Sequence, residues 1–193
     1  AQEIARVTSM AQGIWAEARA REDVPGFLPV LGDVIRLRQE EGAALAQGGD
    51  PYDALIDDYE PGATAESIGA MFARMRPRLV TLRERVLGSG RQPAGLSGEF
   101  GEEAQLRFAR DLATAFGYDW NRGRLDIAVH PFSSGSGDDA RITTRVAEAD
   151  PFNCFYSTIH EVGHACYELG IDPDYRLTPL GSGVSMGVHE SQS

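Results

Sequence analysis

Two histidines four residues apart, with a glutamate after the first, stand in the stretch CFYSTIHEVGHACYEL at 154–169. A helix turns about 100° per residue, so positions i and i+4 share a face, about 6 Å apart. His160 and His164 can then grip one metal ion through neutral imidazoles. Glu161 stands beside the ion without having to ligate it, where a base takes a proton from metal-activated water. The competing reading is a helix with two surface or core histidines, since so short a pattern also arises by chance. The remaining histidines weigh against that. The chain has 4, at positions 130, 160, 164 and 189. Histidines that merely pack would not gather in the C-terminal third.

A catalytic zinc takes three protein ligands, so one is still to be found. The spacing after His164 excludes the metzincin pattern, because Tyr167 and Gly170 stand where Gly and His are required. Glu168 shares the helix face, but its Cα is about 12 Å from that of His160 at 1.5 Å rise per residue. Asp172 and Asp174 follow too closely and read as turn residues around Pro173. His189 and Glu190 remain, far enough along for a second helix to fold back beside the first. Two histidines and a glutamate are a known catalytic zinc set, and Glu190 is the preferred third ligand.

The elements that must position these residues follow from periodicity. Ile4, Val7, Ala11, Ile14, Trp15 and Ala18 recur at helical spacing over 2–20. Pro25 and Pro29 start a second helical segment that Gly48-Gly49 ends. Asp50 caps a short helix opened by Pro51 and broken at Pro61-Gly62. Thr64, with Glu66 and Ser67, starts a helix running to Leu87. Residues 88–98 read as a loop. Glu99 to Phe116 is helical again, with Gly117 at its end.

The texture then changes. Leu125, Ile127 and Val129 alternate with polar or small neighbours, SSGSGDD reads as a turn, and ARITTRV is β-branched. The expectation is one β-hairpin over 124–146. Asp150 and Pro151 open the helix of the two histidines, on which Tyr156 and Tyr167 read as core residues. Glycines 181, 183 and 187 suggest a loosely ordered approach to VHESQS. The whole reads as mainly α-helical, with a small antiparallel hairpin or sheet beside the histidine helix.

Composition bounds the function. Of 193 residues, 42% are hydrophobic and 24% charged, as in an ordinary globular domain. The net charge is -11, and every basic residue is arginine. Such acidity argues against nucleic acid or an anionic membrane as partner. No apolar run approaches the ~20 residues of a membrane span, and AQEIARVTSM lacks a signal peptide's apolar stretch. Cys154 and Cys166, on one helix, lie roughly 18 Å apart and cannot bridge. Two free thiols suit a reducing, cytoplasmic compartment.

With these residues in view, the sequence resembles the carboxypeptidase Taq family of zinc metallocarboxypeptidases. Four motifs stand in that family's order: HPF at 130–132, DARIT at 139–143, HEVGH at 160–164 and HES at 189–191. The segments WAEAR, FLPVLGDVIRLR and YDALIDDYEPG are also similar, so the resemblance spans nearly the whole chain. It implies a mostly helical, zincin-like (gluzincin) metallopeptidase with a deep cleft, commonly dimeric, releasing single C-terminal residues from peptides. It implies that His160, His164 and Glu190 bind zinc, or cobalt, and that Glu161 is the catalytic base. The partners implied are peptides with a free C-terminus.

Recognition of a terminal carboxylate favours a bidentate arginine. Arg141 is the candidate present, unless it pairs with Asp138 or Asp139 to hold the hairpin. His130 can line the cleft or orient a ligand, or simply pack. The family's pattern continues past HES with an arginine motif and a tryptophan motif. The expectation is therefore an N-terminal fragment of one catalytic domain, helical over 1–123, with hairpin and metal-binding helices over 124–193. Such a fragment is expected to be a weak metal binder and poor enzyme, with 181–193 mobile or displaced. A zinc endopeptidase of the same ligand class and a non-enzymatic helical module are the competing functions.

Overall fold

The computed structural model describes all 193 residues, which divide into two compact units, Ala1–Gly90 and Arg91–Ser193. The first unit contains α1 (Gln2–Ala20), α2 (Val24–Leu45), α3 (Pro51–Ile56) and α4 (Ala65–Leu87). The apolar stripe of α1 packs on α2 and buries Val7, Ala11 and Ala18. Asp23 caps α2 by accepting from the Gly26 amide at 3.0 Å, and Pro25 lies in the first turn. Pro29, expected at the start of this segment, lies inside the helix. Asp50 accepts from the Tyr52 and Asp53 amides, so α3 starts where Asp-Pro predicts. Gly42 lets α3 approach, since a Cβ there would meet the Pro51 carbonyl at 2.8 Å. A reciprocal box between Thr64 and Ser67 caps α4.

The second unit contains α5 (Glu102–Ala115), β1 (Leu125–Ile127), β2 (Ser133–Ser136), β3 (Asp139–Thr144), α6 (Pro151–Gly170) and α7 (Met186–Glu190). Two 3-10 turns, Pro173–Tyr175 and Pro179–Gly181, lie between α6 and α7. Helix α5 starts at Glu102, capped by Gly101, rather than at Glu99. Helix α6 packs against α5 and against β3 and β2. The core between them is Ala109 and Ala113 of α5, Leu125 of β1, Ala140 and Ile142 of β3, and Cys154, Val162 and Ala165 of α6, with Tyr118. The Thr144 hydroxyl donates to the Cys154 carbonyl at 2.9 Å, tying β3 to α6.

The sheet corrects the single hairpin expected over 124–146. Its order is β1-β3-β2, so β3 lies between the other two strands. The hairpin is β2–β3, with Ser133 opposite Ile142 and Ser136 opposite Asp139. Its turn is Gly137-Asp138, and Gly137 supplies a φ of +63° at the first turn position. β1 pairs with β3 in parallel, Leu125 opposite Ile142. The sheet is therefore mixed rather than antiparallel. The physical reason lies in Ala128–Phe132: Pro131 has no N–H for a ladder, and this segment carries the chain across β3. The Phe132 amide donates to the Thr143 hydroxyl at 2.8 Å, and its carbonyl accepts from the Thr143 amide at 2.9 Å. Arg122 then anchors the hairpin turn, bridging Asp138 at 3.0 Å and donating to the Leu169 carbonyl at the end of α6.

No helix is long and apolar enough to cross a membrane. Both cysteines are free thiols, as their separation along α6 requires.

Candidate metal centre

Helix α6 buries Cys154, Thr158, Glu161, Val162 and Ala165. That spacing sets one face into the core and leaves His160 and His164 beside it, one turn apart. The rings meet edge to face at 4.8 Å between centroids. Their Nε2 atoms lie 3.2 Å apart.

Glu190, at the end of α7, completes the group. Its Oε2 is 3.5 Å from His164 Nε2 and 3.8 Å from His160 Nε2. Donor atoms of these three residues all fall within 4.8 Å of one another. Four ligands placed tetrahedrally about 2.1 Å from a small cation stand roughly 3.4 Å from each other. The observed separations fit that edge length, and two imidazoles with one carboxylate suit zinc chemistry.

Of the expectation that 181–193 is mobile or displaced, the displacement is not seen: Glu190 stands beside both histidines. Ser185 caps α7 by accepting from the Val188 amide at 3.2 Å. The Tyr167 hydroxyl accepts from the Val184 amide at 3.3 Å. Gly163 admits the segment beyond α7 against α6, since a Cβ there would clash with the Gln192 carbonyl. The residue just before the motif's second histidine therefore has a packing reason to be glycine.

Glu161 is 5% exposed. Burial pushes its carboxyl above the ordinary range; neighbouring His160 works against this, Glu190 adds to it, and the Ser133 backbone N–H holds it down. Burial pushes His164 down, opposed by Glu190, which keeps a lone pair available for a cation.

A cleft of about 610 Å³ opens over this group, lined by His130, Phe132 and the first residues of β2 on one side, and by α6 and α7 on the other. His130 is thus brought to the centre, but Arg141 is not. The Arg141 guanidinium is forked onto Asp139 at 2.8–3.0 Å, at the exposed edge of the hairpin. Asp138 serves Arg122 and Arg176 instead. Tyr156 is 69% exposed and stacks on Phe152, so it is not a core residue. Tyr167 packs its ring on His189, 4.7 Å between centroids. Asp172 accepts from the Asp174 amide in the first 3-10 turn, as its place beside Pro173 predicts.

One feature escaped the spacing argument. Glu168, too far along α6 to share the ion, turns its carboxylate to His189 at 2.8 Å. His189 in turn meets His164, ring nitrogen to ring nitrogen, at 2.6 Å. The only signal in the sequence is that Glu168 follows His164 by one turn and His189 precedes Glu190.

The profile of the carboxypeptidase Taq (M32) metallopeptidases matches residues 1–193. The chain belongs to the M32 family of metallopeptidases. It is 46% identical over 204 residues to thermostable carboxypeptidase 1 of Thermus thermophilus, covering 99% of this chain and 40% of that protein. It is 37% identical to carboxypeptidase 1 of Bacillus subtilis, covering 96% of this chain and 38% of that one. Among solved structures, the M32 carboxypeptidase of Deinococcus radiodurans R1 superposes with a TM-score of 0.81 at 41% identity, over 99% of this chain and 39% of that one. This M32 chain therefore spans about 40% of the length of the curated relatives it matches. Membership in a metallopeptidase family implies a metal cofactor, and the group His160, His164 and Glu190 is where this chain can hold one.

Proposed function

We propose that the protein to which this chain belongs is a zinc-dependent metallocarboxypeptidase that releases single C-terminal residues from peptides. The convergence of His160, His164 and Glu190 beside a buried Glu161 carries this reading, and the names of its relatives support it. The two histidines and Glu190 hold the metal, zinc by preference and cobalt as a possible substitute. A cation bound there supplies Lewis acidity, making a water easier to deprotonate and a peptide carbonyl easier to attack.

Glu161 accepts the proton from that water as its oxygen adds to the last peptide carbonyl carbon. It then returns the proton to the departing amine as the C–N bond breaks. His130, which lines the cleft, is assigned a contact with bound peptide. The contacts of Arg141 support its role as a clamp on Asp139 over that of a reader of the terminal carboxylate. The two free thiols support a reducing, cytoplasmic setting, and a homodimer is proposed for the whole protein.

The test is hydrolysis by the intact protein, loaded with zinc, of matched peptides ending in a free carboxylate or an amide. Release of the terminal residue from the free peptide alone is expected. Equal cleavage of both would support an endopeptidase using the same ligands. Absence of bound metal and of any cleavage would favour the non-enzymatic module.

A further inference from the structure

Beside His164, on the wall of the same cleft, lies a row of polar groups that are not among the three donors. His164 Nδ1 and His189 Nδ1 are 2.6 Å apart. His189 Nε2 and Glu168 Oε1 are 2.8 Å apart. Both outer side chains are 19% exposed, and the Tyr167 ring covers one side of His189.

Proton placement along this row is not free. His164 Nε2 faces His160 Nε2 and the Glu190 carboxylate, so a cation there requires a bare lone pair on that nitrogen. The His164 proton must then sit on Nδ1, which donates to His189 Nδ1. His189 can accept only if its own proton is on Nε2. That N–H points at the Glu168 carboxylate, which accepts it. Each ring's tautomer dictates the next, and the row ends on a group that only accepts.

We propose that His189 and Glu168 are positioning residues that fix the tautomer and ring orientation of His164. This rests on the metal-centre reading above. Residues 160, 164 and 168 rise along one face of α6, the first two as ligands and the third as the anchor of the row. Helix α7 then delivers two functions from adjacent positions, the carboxylate of Glu190 to the ion and the imidazole of His189 to the ligand behind it. A histidine ligand whose second nitrogen is held this way is more basic and pre-aimed, and losing such a partner weakens metal binding about 10–100-fold.

Zinc affinity of the intact protein, measured by chelator competition without substrate, tests the proposal. His189→Leu and Glu168→Leu are each expected to weaken zinc binding about 10–100-fold. His189→Gln is expected to restore much of it, because an amide can accept from His164 and donate to Glu168. Wild-type affinity in His189→Leu would overturn the proposal while leaving the metal site intact. Failure of the wild-type protein to bind zinc would overturn the metal reading and this proposal together. Nitrogen-15 imidazole spectra of the wild-type zinc form give a second readout, independent of whether the variants fold. A proton on His164 Nδ1 and on His189 Nε2 is expected; a proton on His189 Nδ1 would overturn the assignment.

Discussion

Glu190 Oε2 lies 3.5 Å from His164 Nε2, although two 3-10 turns and the short helix α7 separate them along the chain. The contact closes the three-donor group. The two histidines alone form a pair fixed by helix geometry, and Glu190 adds a carboxylate with which the group could hold a cation. Glu190→Ala in the intact protein should therefore weaken zinc binding severely, as should His160→Ala or His164→Ala. Metal analysis after dialysis checks this. One zinc retained per chain in any of the three variants would refute the ligand set.

Glu161→Gln should separate binding from chemistry. The side chain keeps its size and its place in the core, and it is not one of the three donors. Metal content should stay near that of the wild type while turnover of a free peptide falls about 10²–10⁴-fold. Comparable turnover in the two proteins would remove Glu161 from the role of base.

Tyr118 gives a prediction about alkaline stability. Its hydroxyl donates to the Ala140 carbonyl at 2.6 Å, and the Arg124 carbonyl is 3.2 Å away. Burial pushes its pKa up to about 12, against about 10 in an unfolded chain. The folded state thus favours the neutral phenol. Its contribution to stability is full below pH 10 and is lost as pH rises toward 12. Tyr118→Phe should be less stable at neutral pH by about 1–3 kcal/mol, from the lost hydrogen bond. It should also show a shallower fall in stability between pH 10 and pH 12. Denaturant titrations across that window check both points, and parallel curves would contradict the second.

Ile142 sits at the middle of β3, opposite Leu125 and Ser133, and is 0% exposed. It packs the sheet against the face of α6 that carries Glu161. Ile142→Ala should destabilise the fold by about 2–5 kcal/mol, through lost burial and the cavity left behind. Thermal or denaturant unfolding measures this, and a loss below about 0.5 kcal/mol would show that the sheet is not packed as described.

Local rules in the residues were enough for the starts of α3 and α4, but not for the Asp23 and Ser185 caps of α2 and α7. Asp50 before Pro51, and Thr64 three residues before Ser67, state where amides will be satisfied without reference to the rest of the molecule. The pairing of His160 with His164 is of the same kind, because the period of a helix belongs to the backbone. Elimination narrowed the third donor to His189 and Glu190, and the fold brings the Glu190 carboxylate to the histidine pair.

The sheet was only half legible. Alternation announced extended chain around Leu125 and Ile142, yet alternation carries no information about which strand hydrogen-bonds to which. Ladder pairing is decided between residues distant in sequence, and here β3 found β2 on one edge and β1 on the other. Arg141 shows the same limit. Its type suited either a substrate clamp or a hairpin clamp, and its contact with Asp139 supports the second.

From the sequence alone came the chemical inventory: a helix with two candidate ligands and a candidate base, a later carboxylate, and histidines confined to the C-terminal third. Tertiary structure alone decided how the inventory is held. The folding back of α7, the tilt that brings His189 onto His164, and the turning of Glu168 toward His189 depend on packing through Gly163, Tyr167 and Ser185. Helical spacing is a property of the backbone within one turn. The meeting of two helices depends on side chains far apart in the chain, and that meeting makes a site from a motif.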